Sequence, residues 1–104
     1  MSVLRLPTLN RVLISGRLVN SPDLLESQYE NRICRFTLDT EDPDHPVRTD
    51  VVVLGPAAEF CGGLRTGQAV MIEGRIGTRE WTDPDGQIHR KTEVHTAWVQ
   101  CLEA

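Results

Sequence analysis

"AVMIEGRIGTREWTDPDGQI", residues 69–88, reads as a long strand running into a tight turn. Asp83-Pro84-Asp85-Gly86 supplies that turn, because proline presets its first dihedral angle and glycine accepts the positive φ at its end. The strand spans about Ala69 to Trp81, and its partner runs from about Ile88 to Leu102. Strand side chains alternate between faces, so Arg75, Arg79 and Trp81 share one face with Glu73.

Three shorter strands precede this hairpin. Residues 10–19 are rich in aliphatic and β-branched side chains, with an interior Gly16 that predicts a bulge or sharp bend. Cys34 to Thr40 alternates apolar and polar. Thr49 to Leu54 holds a continuous apolar run, which predicts burial on both faces. Residues 41–46, with two prolines and three acids, read as a loop. Residues 56–63 read as one short helix, started by Pro56 and stopped by Gly62-Gly63. Five strands with a helix between the third and fourth is the order of an all-β OB-fold, a Greek-key barrel.

The 104-residue length predicts one OB-fold domain over residues 1–104 without an internal boundary. With 39% hydrophobic and 25% charged residues the composition suits a globular chain. No apolar run approaches the roughly 20 residues that span a bilayer. The first seven residues lack the features of a signal peptide, so a cytoplasmic location is expected. Cys34, Cys61 and Cys101 are odd in number and not closely spaced, which predicts buried reduced thiols.

His89, His95 and Cys101 share a parity, but residues six apart in a strand lie about 20 Å apart, so no metal site is expected from them. No cofactor is expected either. The chain carries no Gly-rich phosphate loop, nucleophile elbow or metalloprotease signature, so no enzyme is expected. Fifteen acidic against eleven basic residues would ordinarily argue against a polyanion, yet what counts is charge placement on one surface. All the basic residues except Lys91 are arginine, which stacks on planar groups and pairs bidentately with phosphate; a GC-rich genome produces the same bias.

Several segments together resemble the bacterial single-stranded DNA-binding protein family. They are "NRVLISGRLVNSPD" at 10–23, "CRFTLDT" at 34–40, "VVVLG" at 51–55, "LRTGQAVMIEGRIGTREWTDPDGQ" at 64–87 and "TEVHTAWVQCLE" at 92–103. The resemblance implies an OB-fold that forms dimers or tetramers and wraps single-stranded DNA without sequence preference, in DNA replication, recombination or repair, alongside other replication proteins. Trp81 falls on the tryptophan of the family's "R-x-W-T-D", Arg79 on the arginine before it, and Arg11 on the basic position of its "N-K-V" start. The expected nucleic-acid site is a groove of Arg11, Arg48, Leu54, Arg75, Arg79, Trp81, Arg90 and Lys91.

The departures weaken that site. Arg48 or Thr49 stands where the family usually has a tryptophan, Leu54 where phenylalanine is frequent, and the acidic residues 41–44 where another aromatic is expected. Stacking is worth about 1–3 kcal/mol per base, so binding weaker than in a typical member is expected. The family's acid-tipped tail is missing, which makes the chain either a domain-only form or part of a longer one. Trp98 has the parity of Thr96, Gln100 and Leu102; core packing is the default for a strand tryptophan, with a subunit interface or added stacking surface as alternatives. The vacant aromatic positions and net acidity also fit a protein-interaction OB module, such as a primosome-like accessory subunit.

Overall fold

A computed structural model describes residues 4–26 and 31–102. Strands β1 (Val12–Leu18), β2 (Asp23–Glu26), β3 (Arg32–Asp39) and β4 (Arg48–Leu54) precede helix α1 (Ala57–Gly62), and β5 (Ala69–Thr82) and β6 (Ile88–Cys101) follow it. The ring β1-β5-β6-β4-β3 closes where Arg17 and Leu18 of β1 pair with Asp39 and Leu38 of β3. All ladders are antiparallel except β4 with β6. This is an OB-fold.

The alternation on β3 becomes the core. Cys34, Phe36 and Leu38 point inward opposite Val53, Val51 and Thr49, while Arg35, Thr37 and Asp39 point outward. Leu18, Val70, Ile72 and Val94 fill the rest of the barrel, and Ala58, Cys61 and Leu64 plug its lower end. The run Val51-Val52-Val53 is buried throughout. Val52 faces outward yet stays covered, flanked in the ladder by Arg35 and His95.

One feature differs from expectation. An additional strand, β2, pairs with the edge of β3, so the helix lies between the fourth and fifth of six strands. Its Leu24 and Leu25 carry no alternation signal, because this strand covers the barrel's flank; Leu24 lies over Gly62 of the helix. Of the bulge or sharp bend expected at Gly16, the structure has the bend, made possible by a close approach. Strand β1 bends here from β5 toward β3, and a Cβ would collide with the Asp39 carbonyl oxygen. No helix among the described residues is long and apolar enough to cross a membrane.

The β5–β6 hairpin outruns the barrel, its two strands pairing with each other alone beyond Ile76 and Val94. Its turn is built as expected: Gly86 has φ 84° and donates to the Asp83 carbonyl at 3.0 Å.

All three cysteines are free thiols, two of them buried. Burial, with a smaller contribution from Asp23, pushes Cys34 up to about 11. Burial and then Cys34 push Cys61 up to about 12. Both keep their protons when folded while the unfolded thiols ionise near 9.0, so stability should fall as pH rises past that value. Iodoacetamide should accordingly alkylate the half-buried Cys101 first in native protein, with Cys34 and Cys61 reacting only on unfolding, as intact-mass spectrometry would read.

Gly16→Ala should cost about 1–3 kcal/mol in urea unfolding through overpacking. Gly63→Ala is the matched control: φ there is −90° and the nearest atom to a new Cβ is 3.6 Å away, so it should stay within about 0.5 kcal/mol.

Candidate nucleic-acid interface

The outer side of β5, β6, β4 and β3 forms one surface, and the strand register arranges its side chains in rows. Trp81 stands opposite His89, Arg79 opposite Lys91, and Gly77 opposite Glu93. The next row crosses four strands as Arg75, His95, Val52 and Arg35. On β3 and β4 the same side carries the pairs Thr37 with Asp50 and Asp39 with Arg48.

The turn fixes the Trp81 end. Asp83 Oδ1 accepts from the backbone N–H groups of Asp85 and Gln87, both at 2.9 Å. Its Oδ2 lies 2.6 Å from His89 Nε2. The His89 bond, followed by the Gln87 amide, holds the Asp83 carboxyl below its usual value. His89 in turn stacks on Trp81, centroids 5.4 Å apart and planes 18° apart, and the Arg79 guanidinium sits 4.7 Å over the indole. Trp81 remains 41% exposed, so a flat aromatic is held in a set orientation against solvent.

Below it the surface is almost self-neutralised. Glu93 is buried and lies 3.2 Å from Arg79 Nε and 3.6 Å from His95 Nε2. Gly77 permits this packing, since a Cβ there would meet the His95 ring at 2.7 Å. Lys91 Nζ reaches Asp50 at 2.9 Å, and the Thr37 hydroxyl donates to the same carboxylate at 2.6 Å. Those bonds, Thr37 first and then Lys91, hold the Asp50 carboxyl below its usual value. Arg48 pairs with Asp39 at 3.6 Å, and Arg11 with Glu73. Among the described residues, Arg75 and Arg35 are the cations of this surface without a carboxylate partner.

Six of the eight expected residues come to this side or its rim: Arg11, Arg48, Arg75, Arg79, Trp81 and Lys91. Leu54 lies half-buried at the end of β4 and borders a groove beside Arg11 and Arg75. Arg90 does not join them. It stands opposite Glu80 on the reverse of the hairpin and bonds to it at 2.8 Å, because its neighbour Lys91 already occupies the near side.

The larger correction concerns Trp98. The β5–β6 register shifts between Glu73 and Gly74: Glu73 faces Trp98 but Gly74 faces Thr96, leaving Ala97 as an extra residue in β6. The Trp98 N–H donates to Thr96 Oγ1 at 2.9 Å, and that hydroxyl reaches the carbonyls of Glu73 at 2.6 Å and Trp98 at 2.8 Å. Beyond the bulge the inward positions change from Val94 and Thr96 to Val99 and Cys101. Trp98 is therefore not core but 44% exposed, on the side of His95 and Arg75. It borders a groove of about 500 Å³ with Arg11, Leu54, Glu73, Arg75 and His95. Unbroken alternation sets Trp98 opposite Val99 and Cys101 yet on the side of the buried Thr96, so it cannot decide which way the indole faces. The available signal was Gly74 inside a strand, although glycine does not say which strand carries the extra residue.

Comparison with known proteins matches residues 9–102 to the single-strand binding protein family. The chain belongs to that family. It is 33% identical over 107 residues to Single-stranded DNA-binding protein 1 of Chlorobaculum tepidum, a match that covers 92% of this chain and 66% of that relative. The loop after β3 uses Asp39 and Asp42 to accept its own backbone N–H groups, and Glu41 pairs with Arg17.

Arg79→Ala would leave the Glu93 carboxylate buried beside His95 alone. It should cost about 2–3 kcal/mol, below the fully buried case because Arg79 keeps a third of its side chain exposed. Glu93→Gln should cost about 1–3 kcal/mol. In urea unfolding the double variant should lose clearly less than the sum of the two; strict additivity would show that the pair is not coupled.

Proposed function

We propose that this protein binds single-stranded DNA without sequence preference, through the outer side of β5, β6 and β4. The observation that carries the reading is the exposed, oriented indole of Trp81 backed by Arg79, on a surface that also presents Arg75, Lys91, Arg48 and Arg11. A flat ring stacks on any base and guanidinium groups pair with phosphate, which is chemistry that needs no base-edge readout. Family membership supports the same ligand, and it disfavours a module that binds only protein. We assign the binding roles to Arg11, Arg48, Leu54, Arg75, Arg79, Trp81 and Lys91, with Arg90 set apart by its position.

We also propose that the protein acts as a homo-oligomer. From Val12 to Gly16 strand β1 pairs with β5 alone, so its other edge is open there, and Leu9 and Leu13 are exposed beside it. Light scattering after size-exclusion chromatography should give a mass above that of one chain.

Titration with oligo(dT), followed by tryptophan fluorescence and mobility shift, tests the binding. Quenching is expected, with affinity falling on a log-log salt slope of about −0.7 per phosphate contact. No quenching and no shift at micromolar protein in low salt would sink the reading. Trp81→Ala should weaken binding by about 1–3 kcal/mol, roughly 5- to 140-fold. Asp50→Asn should do the opposite: it frees Lys91 for a phosphate, tightening binding and steepening the slope by about 0.7. Because Thr37 and Lys91 hold the Asp50 carboxyl below its ordinary 3.8, moving from pH 7 to pH 5 leaves it ionised and should not mimic that variant.

A further inference from the structure

We propose that the groove beside the β6 bulge is a second base-stacking subsite, in which Trp98 takes a nucleobase of the single strand and Arg75 takes the adjoining phosphate. The inference rests on the single-strand reading above and extends it to Trp98, for which core packing was the default expectation.

Four observations converge on one occupant. Trp98 presents an exposed indole on the side of the surface that carries Arg75 and His95, and its backbone is fixed by the Thr96 hydroxyl rather than carried on a loop. The groove of about 500 Å³ is open to solvent and bordered by Leu54 and Trp98 together with Arg11, Glu73, Arg75 and His95. Its charge suits a polyanion: Glu73, the acid that lines it, is held by Arg11, whereas Arg75 has no carboxylate partner among the described residues. Arg79 and Lys91 must each exchange a carboxylate for a phosphate, but Arg75 need not, so the first strong electrostatic contact falls here.

Continuity supplies the fourth point. Trp98 faces Glu73 and Trp81 lies eight residues further along β5, about 26 Å at strand rise. That span fits the roughly 4–16 nucleotides that one OB-fold occupies. A strand laid along β5 would meet an indole at each end with Arg75 and Arg79 between them. Leu54, on the groove's other wall, is too narrow to stack a base alone but can back one that rests on Trp98.

The chain has two tryptophans, so Trp81→Phe leaves Trp98 as the only indole while keeping an aromatic ring at the hairpin. In this variant oligo(dT) should quench Trp98 emission along the same isotherm as the mobility shift. Trp98→Ala should weaken binding about 5- to 140-fold, with unfolding midpoint and oligomeric mass unchanged. Arg75→Ala should flatten the salt slope by about 0.7. A Trp81→Phe protein that shifts oligo(dT) without any change in Trp98 emission overturns the subsite and leaves single-strand binding standing. A Trp98→Ala protein that binds like wild type, or that changes oligomeric mass, also overturns it, the latter assigning the indole to contact between copies. Failure of the wild-type protein to bind at all removes the single-strand reading itself and the subsite with it.

Discussion

The Thr96 hydroxyl holds the β5–β6 ladder open by one residue, and much of the outer surface follows from that small displacement. It accepts the Trp98 N–H and reaches the Glu73 and Trp98 carbonyls, so the extra residue Ala97 is accommodated without leaving its neighbours' backbone groups unpaired. Upstream of the bulge, Val94 and Thr96 face the core; downstream, Val99 and Cys101 do. Without the shift Trp98 would turn into a barrel whose interior is already filled by Leu18, Val70 and Ile72, and Val99 would face water. Gly74 belongs to the same device, since a side chain there would collide with the His95 carbonyl.

The electrostatics of the surface obey a second constraint. A net charge of −4 is compatible with a polyanion ligand only if the acids are spent internally, and on this side they are. Glu93 is tied to Arg79, Asp50 to Thr37 and Lys91, Asp39 to Arg48, and Glu73 to Arg11. Each pair orients a long side chain while lowering the charge it offers outward. Phosphate must then compete with a carboxylate already in place, so net affinity per cation is smaller than a count of arginines implies. The buried Glu93 is the costliest of these acids to expose, which makes Arg79 more a fixed support for Trp81 than a mobile clamp.

Legibility in the sequence followed physical periodicity. The β3 alternation, the β4 apolar run, the helix bounded by proline and glycine, and the Asp83–Gly86 turn each carry local chemistry that survives folding, and from them the OB-fold could be read. The placement of Trp81 and Arg79 on one face was legible because no bulge intervenes between them and the turn. Strand β2 was not, because an exposed edge strand has no buried face to impose alternation. Arg90 was grouped with Lys91 although adjacent residues of a strand face opposite sides, and the core default for Trp98 followed the general habit of strand tryptophans, which the bulge overrides here. The acids that neutralise the surface were also invisible, as Asp50 and Glu93 meet Lys91 and Arg79 across strands rather than along them.

One strand therefore serves two purposes that pull against each other. Along β5, Val70 and Ile72 are fully buried, Gly74 and Gly77 admit a carbonyl and a histidine ring, and Arg75, Arg79 and Trp81 face outward. Gly74 faces inward with Thr96, whereas Gly77, which lets the His95 ring approach, leaves a gap in the outer row of side chains, so this strand cannot carry a continuous line of aromatics. Stacking groups must instead stand at its ends, beside the turn and beside the bulge, and those are the places where the chain's two tryptophans are found. The spacing of the indoles is thus set by barrel closure, through Gly74 and Thr96, as much as by any ligand laid across them.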